Sequence, residues 1–592
     1  MALINIKIEG IPYQVEEGLT ILEAARRCGY EIPSLCAFNH GECSQASCRV
    51  CLVQVNTSRS LVASCVYPVT DGIEISISSP IAIEARRTSV ELLLSNHAQN
   101  CQACDKNGKC ELLYVAQQVG PREGKYKGCK TPTTYDRLNP SIVRDTSKCI
   151  LCGRCIARCA SAHGMGILGF ENRGFNTIVG PAENRGFADS PCIMCGQCTS
   201  VCATGALMDR IDILDIDDAI RSGKYVVCQT APAVRAALGE EFGYPVGTAV
   251  TGKMVASLRR LGFKKVFDTN FGADLTIMEE ATELIGRIKN GGKLPMITSC
   301  SPGWINYAEY FYSDLLPHVS SCKSPHQMQG AIIKHYYAKK VGIKPEDVYV
   351  VSVMPCTAKK FEKERPQMVT EGLKDVDAVI TTRELAKMIR RCGINFNKLP
   401  DEEFDMDIIG QYTGAGVIFG VTGGVMEAAL RTACYKMTGK EAPGLTFEAV
   451  RGVAGLKEAA IEIGGETIHV AVASGMKNAK ILLDEIREGT SKYTFIEIMG
   501  CPGGCINGGG QPYVRECFLP HESHDIGDTY VAKRAVALYN EDERKFPRQS
   551  HNNQQIQILY KDYLGEPNSE LAHHLLHTTY KARIPFNPIH HK

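Results

Sequence analysis

Met354-Pro355-Cys356-Thr357-Ala358-Lys359-Lys360-Phe361-Glu362 follows directly on an apolar run, Val348-Tyr349-Val350-Val351-Ser352-Val353, that reads as a buried strand. A cysteine after proline at the carboxyl end of a strand puts a soft thiolate in the kind of loop where α/β proteins gather their sites. Two distant segments share this character, Thr298-Ser299-Cys300-Ser301-Pro302-Gly303-Trp304 and Glu497-Ile498-Met499-Gly500-Cys501-Pro502-Gly503-Gly504-Cys505. Pro or Gly beside each cysteine lets backbone approach an inorganic core closely, and thiolates on loops suit an iron–sulfur cluster. Buried structural cysteines in Gly-rich turns are the competing reading. Between residues 212 and 520, the runs Tyr225-Val226-Val227-Cys228, Val348–Val353 and Ala378-Val379-Ile380 alternate with helical stretches. That rhythm predicts an α/β catalytic domain with mainly parallel sheets. The run Gly414–Gly420 lacks the spacing of a dinucleotide fingerprint.

Upstream, Cys149-x2-Cys152-x2-Cys155-x3-Cys159 recurs as Cys192-x2-Cys195-x2-Cys198-x3-Cys202. This is the bacterial two-cluster ferredoxin run, in which the fourth cysteine serves the other cluster. Cys149, Cys152, Cys155 and Cys202 are therefore expected to hold one [4Fe-4S], and Cys192, Cys195, Cys198 and Cys159 the other. Earlier still, a helical stretch over Glu84–Asn96 leads into His97-x3-Cys101-x2-Cys104-x5-Cys110. One His and three Cys satisfy tetrahedral zinc by ligand type, while the neighbouring clusters favour iron. The first 80 residues begin with the alternation Ile4–Ile8, a turn at Glu9-Gly10, and a helix near Thr20–Cys28 with Thr20 as N-cap and Gly29 as stop. Cys36, Cys43, Cys48, Cys51 and Cys65 follow, and a plant-type C-x4-C-x2-C spacing fits Cys43, Cys48 and Cys51.

Among 592 residues, 66 basic and 65 acidic side chains leave a net charge of +1, which gives no electrostatic footprint for nucleic acid. No run approaches the ~18 apolar residues of a membrane span, and the amino terminus lacks a signal-peptide layout. The chain reads as cytoplasmic. Its 27 cysteines, many two or three residues apart, point to metal in a reducing compartment rather than disulfides.

The three loop motifs resemble the signature motifs of the iron-only ([FeFe]) hydrogenases, and the resemblance runs through nearly the whole chain. It implies an H-cluster: a [4Fe-4S] cubane bridged by one thiolate to a two-iron centre carrying CO, cyanide and an azadithiolate. Cys356, Cys501 and Cys505 match cubane ligands. The family's first motif carries adjacent cysteines, a proton donor and then a cubane ligand, where this chain has Cys300-Ser301. A serine hydroxyl is more basic and a harder ligand than a thiol. Cys300 shifts register and ligates, or Ser301 binds through oxygen, or the cubane is incomplete; Cys300 is the candidate for both roles. The resemblance further implies α+β, ferredoxin-like accessory domains: a [2Fe-2S] domain over 1–80, a [4Fe-4S] domain with one histidine and three cysteine ligands over 81–129 and a two-[4Fe-4S] domain over 130–211. The catalytic domain at 212–520 and a small-subunit-like segment at 521–592 complete the chain. In the family pattern Cys36, Cys48, Cys51 and Cys65 hold the [2Fe-2S], leaving Cys43 spare along with Cys28, Cys129, Cys228, Cys322, Cys392, Cys434 and Cys517. One [2Fe-2S] and three accessory [4Fe-4S] clusters would then wire electrons to the H-cluster.

On a predicted helix over Thr276–Lys289, Glu280, Glu283 and Arg287 share one face, either as a tunable proton relay or as a solvated salt-bridged stripe. The resemblance implies a proton pathway through Cys300, Glu280, Ser320, Glu283 and Arg287. It assigns Lys359 to one cyanide, Ala231 and Pro232 to the other, Met354 and Phe419 to the apolar walls, and Ser324 to the azadithiolate. The paired histidines His573-His574 and His590-His591 read as part of a solvated C-terminal helix. The function implied is reversible interconversion of protons, electrons and H2, with ferredoxin as electron partner and maturation factors to insert the cluster. Two other readings stay open: the catalytic subunit of an NAD(P)-linked, bifurcating complex with flavin-bearing partner subunits, and a non-turnover redox sensor or electron-transfer scaffold, which Ser301 keeps alive.

Overall fold

The computed structural model describes residues 2–38, 43–442, 444–514 and 529–585, so Cys517 and His590-His591 lie outside the described residues. Strands β1 (Leu3–Ile8), β2 (Ile11–Glu16), β3 (Leu52–Val55), β4 (Val62–Ala63) and β5 (Glu74–Ser76) form one sheet in the order β2-β1-β5-β3-β4. The alternation read at the amino terminus sends Ile6 and Ile8 into the core and Lys7 to solvent. Thr20 and Glu23 close a capping box on the helix Ile21–Arg27. The next helix, Pro80–Asn96, begins four residues before the expected Glu84, because Pro80 occupies the first helical position, where a missing N–H costs nothing.

The middle of the chain is mostly loop around short strands. Strands β6 (Tyr135–Asp136) and β7 (Ile142–Asp145) join β10 (Leu207–Asp209) in a three-stranded sheet, and β8 (Leu168–Glu171) pairs with β9 (Ile178–Pro181). The helix Arg154–His163 carries Cys155 and Cys159, and Gln197–Val201 carries Cys198 with Cys202 just past its end.

Two sheets build the remainder. Strands β11 (Tyr225–Thr230), β12 (Lys265–Asp268), β14 (Val348–Met354) and β17 (Ala378–Thr381) are all parallel, in the order β12-β11-β14-β17. Their continuous apolar character follows from burial on both faces. The second sheet, β13-β20-β19-β18, places β13 (Met296–Ile297), β19 (Glu466–Ser474) and β20 (Phe495–Met499) parallel, while β18 (Leu456–Ile463) runs antiparallel to β19. Parallel pairing therefore predominates here, as expected, and the antiparallel exceptions are β18 and the small hairpin of β15 (Val369–Thr370) and β16 (Leu373–Lys374).

The helix expected at Thr276 runs from Asn270 to Asn290. Every residue from Asn270 to Ile277 is buried, so its first turns carry no polar stripe for periodicity to detect. The C-terminal segment packs onto this core. The helix Glu570–Leu576 leaves the paired His573 and His574 exposed, as a solvated face would, while its other face buries Ala572, Leu575 and Leu576. Among the described residues, no helix is long and apolar enough to cross a membrane. Asp542 on the helix Thr529–Arg544 is buried among Arg431 (2.9 Å), Arg548 (2.6 Å) and Arg451 (3.2 Å), tying that helix to the core. Replacing one partner of a buried charge cluster strands the others, so Asp542→Ala is expected to cost about 3–5 kcal/mol. Limited proteolysis should then release the C-terminal segment; wild-type resistance in this variant would contradict that role.

Candidate active site

Each of the three cysteine motifs begins at the carboxyl end of a parallel strand. Strand β13 delivers Cys300 and Ser301, β14 delivers Cys356, and β20 delivers Cys501 and Cys505, while β11 ends in the Ala231-Pro232 turn. The loops close on one cavity of about 80 Å³, lined by all five motif residues together with Ala231, Pro232, Met354, Lys359 and Phe419. Ser324 precedes the helix beginning at Pro325, which lines the same cavity, and its buried Oγ has no hydrogen-bond partner among the described residues. Gly420 and Met499 also line it, as do Thr269 and Ala273, which no motif in the sequence marks.

Burial raises the thiols of Cys356 and Cys501 above their ordinary range and pushes Cys505 up to about 12. These three thiols are close enough to oppose one another's ionisation. Cys300 is raised too, first by burial and then by Glu280, and lies toward Glu280, Lys359 and Cys505. Ser301 turns its Oγ to accept a hydrogen bond from the Gly500 N–H at 3.0 Å. Glycine is required at the contacts between loops: a Cβ on Gly508 would stand 2.2 Å from the Pro355 carbonyl oxygen. Protonated soft thiols converging among apolar walls fit an iron–sulfur group, whose cation would take them as thiolates.

Lys359 Nζ donates to the Cys300 carbonyl at 3.0 Å and pairs with Glu362 at 2.9 Å. His326 Nε2 lies 2.6 Å from the same carboxylate. Burial opposes ionisation of Glu362, yet Lys359 and His326 outweigh it and hold the carboxyl at about 2. The His326–Glu362 pair, which orients Lys359, escapes sequence reading because its members are 36 residues apart. On the other side a polar line leads outward. Arg287 Nη2 donates to Glu283 Oε1 at 2.6 Å, and Ser320 Oγ donates to Glu283 Oε2 at 2.9 Å. Glu280 contacts Ser320 and is pushed up to about 8 by burial, with the charge of Glu283 adding to the shift. The structure thus brings Arg287, Glu283, Ser320, Glu280 and Cys300 into one series.

The upstream cysteines also gather. The Cys36 thiol contacts those of Cys48 and Cys65, and Cys51 contacts Cys65, while Cys43 Sγ faces the Cys152 carbonyl at 3.8 Å. His97 Nδ1 is buried without a hydrogen-bond partner among the described residues, Cys101 opens the short turn Cys101–Ala103, and Cys104 lies near Cys110. Cys149, Cys152, Cys155 and Cys202 line one small cavity, and Cys159, Cys192, Cys195 and Cys198 form a second group. Leu151 and Met194 adopt left-handed backbone in the two runs, and each donates its N–H to a cysteine Sγ at 3.4 Å, that of Cys149 or Cys192. Such donors suit thiolates on a cluster. His163 carries no sequence signal of its own. Its Nδ1 accepts from the Met476 N–H at 3.4 Å, which leaves Nε2–H for Cys195 Sγ at 3.2 Å.

The chain is 47% identical to the NADP-reducing hydrogenase subunit HndD of Solidesulfovibrio fructosivorans, across 98% of this chain and all of the relative. It belongs to the iron-only hydrogenases. Iron hydrogenase 1 of Clostridium pasteurianum is 43% identical, again over 98% of this chain and all of the relative. The family profile "Iron only hydrogenase large subunit, C-terminal domain" matches residues 224–509, and "Iron hydrogenase small subunit" matches 528–583. Profiles for a 2Fe-2S iron-sulfur cluster binding domain (1–80), the NADH-ubiquinone oxidoreductase-G iron-sulfur binding region (86–125) and a 4Fe-4S dicluster domain (141–203) cover the front. The solved apo [FeFe]-hydrogenase of Chlamydomonas reinhardtii superposes with a TM-score of 0.55 at 43% identity, over 62% of this chain and 98% of that one. This [FeFe]-hydrogenase is thus an oxidoreductase with accessory iron–sulfur domains ahead of an H-cluster domain.

The buried Glu280 has a consequence for stability. An unfolded glutamate ionises near 4.5 and the native one near 8, so between these values the native state binds more protons. Its contribution is complete below about pH 4.5 and is lost as pH rises through about 8. Glu280→Gln, which cannot ionise, should flatten the fall of the urea midpoint between about pH 5 and about pH 8. Equal slopes in variant and wild type would contradict the buried-acid assignment.

Proposed function

We propose that Cys356, Cys501 and Cys505 hold three corners of the H-cluster cubane, that Ser301 offers its oxygen to the fourth, and that Cys300 delivers protons from a route through Arg287, Glu283, Ser320 and Glu280. The observation that carries this reading is the division within the first loop. Cys300 lies toward Glu280 and Lys359, whereas Ser301 Oγ is drawn to Gly500, the residue before Cys501. When bound, the H-cluster supplies the redox chemistry that interconverts two protons and two electrons with H2. The chain's own part is positioning and exclusion. Lys359, fixed by Glu362, offers its ammonium as a hydrogen-bond donor at the wall of the cavity, which Ala231 and Pro232 also line. Met354 and Phe419 keep water away. A glutamate held near pH 8 can both accept and release a proton at neutral pH, which suits a relay.

Four accessory centres are proposed: a [2Fe-2S] on Cys36, Cys48, Cys51 and Cys65, a [4Fe-4S] on His97, Cys101, Cys104 and Cys110, and two [4Fe-4S] on the crossed ferredoxin-type sets. The nearness of Cys195 to Cys501 supports electron exchange across that seam. Ferredoxin is the proposed electron partner. A second reading, partner subunits carrying flavin and NAD(P), is favoured by the similarity to a relative called an NADP-reducing hydrogenase subunit. Cytoplasmic placement and insertion of the cluster by maturation factors belong to the same proposal.

Infrared spectra of the anaerobically matured chain should contain CO and cyanide bands. Cys300→Ala is expected to keep its cubane iron and lower H2 evolution by roughly 10²–10⁴-fold, the usual cost of a lost proton donor. Ser301→Cys should raise iron retention in the cubane, whose hard oxygen ligand becomes a soft thiolate. If Cys300→Ala loses the cubane while Ser301→Ala keeps it, the assignment is reversed. Isolation with a flavin-bearing subunit, together with H2-dependent NADP⁺ reduction, decides for the second electron partner.

A further inference from the structure

At the outer part of the polar line, a cysteine left over from every cluster assignment meets a histidine from the C-terminal segment. Glu283, Cys322 and His577 each offer one ligand atom, and these atoms lie within 4.8 Å of one another. Cys322 Sγ is 3.9 Å from Glu283 Oε2. Tetrahedral zinc, with bonds of about 2.0–2.3 Å, separates its ligand atoms by about 3.3–3.8 Å, so side-chain adjustments suffice. The histidine is already oriented. Its Nε2 lies 3.2 Å from Glu279 Oε2, and Glu279 is itself held by Tyr560 Oη and, at 2.7 Å, by the Asn568 N–H. An Nε2–H directed at a carboxylate leaves Nδ1 as the lone-pair nitrogen, the arrangement that readies imidazole for a metal. That nitrogen lies 2.8 Å from Ser321 Oγ, and the same oxygen lies 3.2 Å from Glu283 Oε2, so its single proton serves one of the two at a time. A small polar group therefore already bridges two of the three donors.

We propose that Glu283, Cys322 and His577 form a binding site for a thiophilic divalent cation of the zinc class, with the carboxylate, thiolate and imidazole as ligands and the Ser321 hydroxyl or a water as the fourth. On binding, a metal–sulfur bond replaces the Cys322 S–H bond and the proton leaves to solvent; no electrons are exchanged. Burial, with Glu283, Glu280 and Glu279 nearby, raises the free thiol well above its usual range, so a cation supplies what ionises it. Access runs past Glu283, whose side chain is 13% exposed while Cys322 is fully buried. Arg287 bonds Oε1 of this carboxylate, which leaves Oε2 on the cysteine side. A bound cation would remove Glu283 from the proton series, and this consequence rests on the proton route proposed above.

The matured full-length enzyme, equilibrated anaerobically with zinc chloride and desalted, should retain one more zinc per chain than Cys322→Ser. His577→Gln should match that loss, and iron content and infrared bands identical to wild type certify that each variant is folded. Zinc should lower wild-type H2 evolution by about tenfold or more, reversibly with EDTA, while each variant's activity changes far less relative to its own zinc-free rate. Equal zinc content in wild type and both variants overturns the site. Zinc lost in the variants but without inhibition of the wild type leaves the site standing and overturns the proton route.

Discussion

The arrangement depends on one electrostatic constraint: thiols buried in an apolar cavity do not ionise unless a cation joins them. Cys356, Cys501 and Cys505 are held close together in surroundings that oppose a thiolate at each. As an apolar core this is a poor arrangement, because space left open among small residues forfeits dispersion attraction. As a cradle for an inorganic group it is consistent, because metal–thiolate bonding supplies the stabilisation that packing does not. The two sheets make the cradle possible. Four strand ends from both of them aim their loops at one point, and neither sheet alone would surround it.

The same constraint explains the glycines after Cys505. A Cβ on Gly509 would stand 2.1 Å from the Cys195 carbonyl oxygen, and one on Gly510 would press on Thr381 at 2.7 Å. Thr357 Oγ donates to the Met194 carbonyl at 2.7 Å, and Gln197 Nε2 to that of Asn507 at 2.8 Å. Catalytic and ferredoxin-type regions therefore meet backbone to backbone beside Cys195 and Cys501. A rigid seam of this kind fixes the separation between the groups held on either side.

What the sequence reveals here depends on how local the signal is. The two repeated cysteine runs are legible because all but one cysteine of each spatial group lie within seven residues, and context alone favours Cys36 over Cys43. Strands β11, β14 and β17 are legible as unbroken apolar runs. Strand β20 is not, because Glu497 interrupts it, although that carboxylate is buried and accepts from the N–H groups of Gly423 (2.6 Å) and Met426 (2.7 Å). Nothing local announces that bond, or that His326 fixes Glu362, or that His577 returns from the far end of the chain to Glu279. The polar series beside Cys300 is half legible: Glu280, Glu283 and Arg287 share a helix face by spacing, whereas Ser320 joins them only in three dimensions.

The most direct test is an iron anomalous-scattering map of the anaerobically matured protein. Iron density within bonding distance of the thiols of Cys356, Cys501 and Cys505, continuing into the cavity toward Lys359 and Phe419, is the predicted result. A cavity without iron, or iron bound at only one of those cysteines, would contradict the claim that three distant loops hold a single metal assembly.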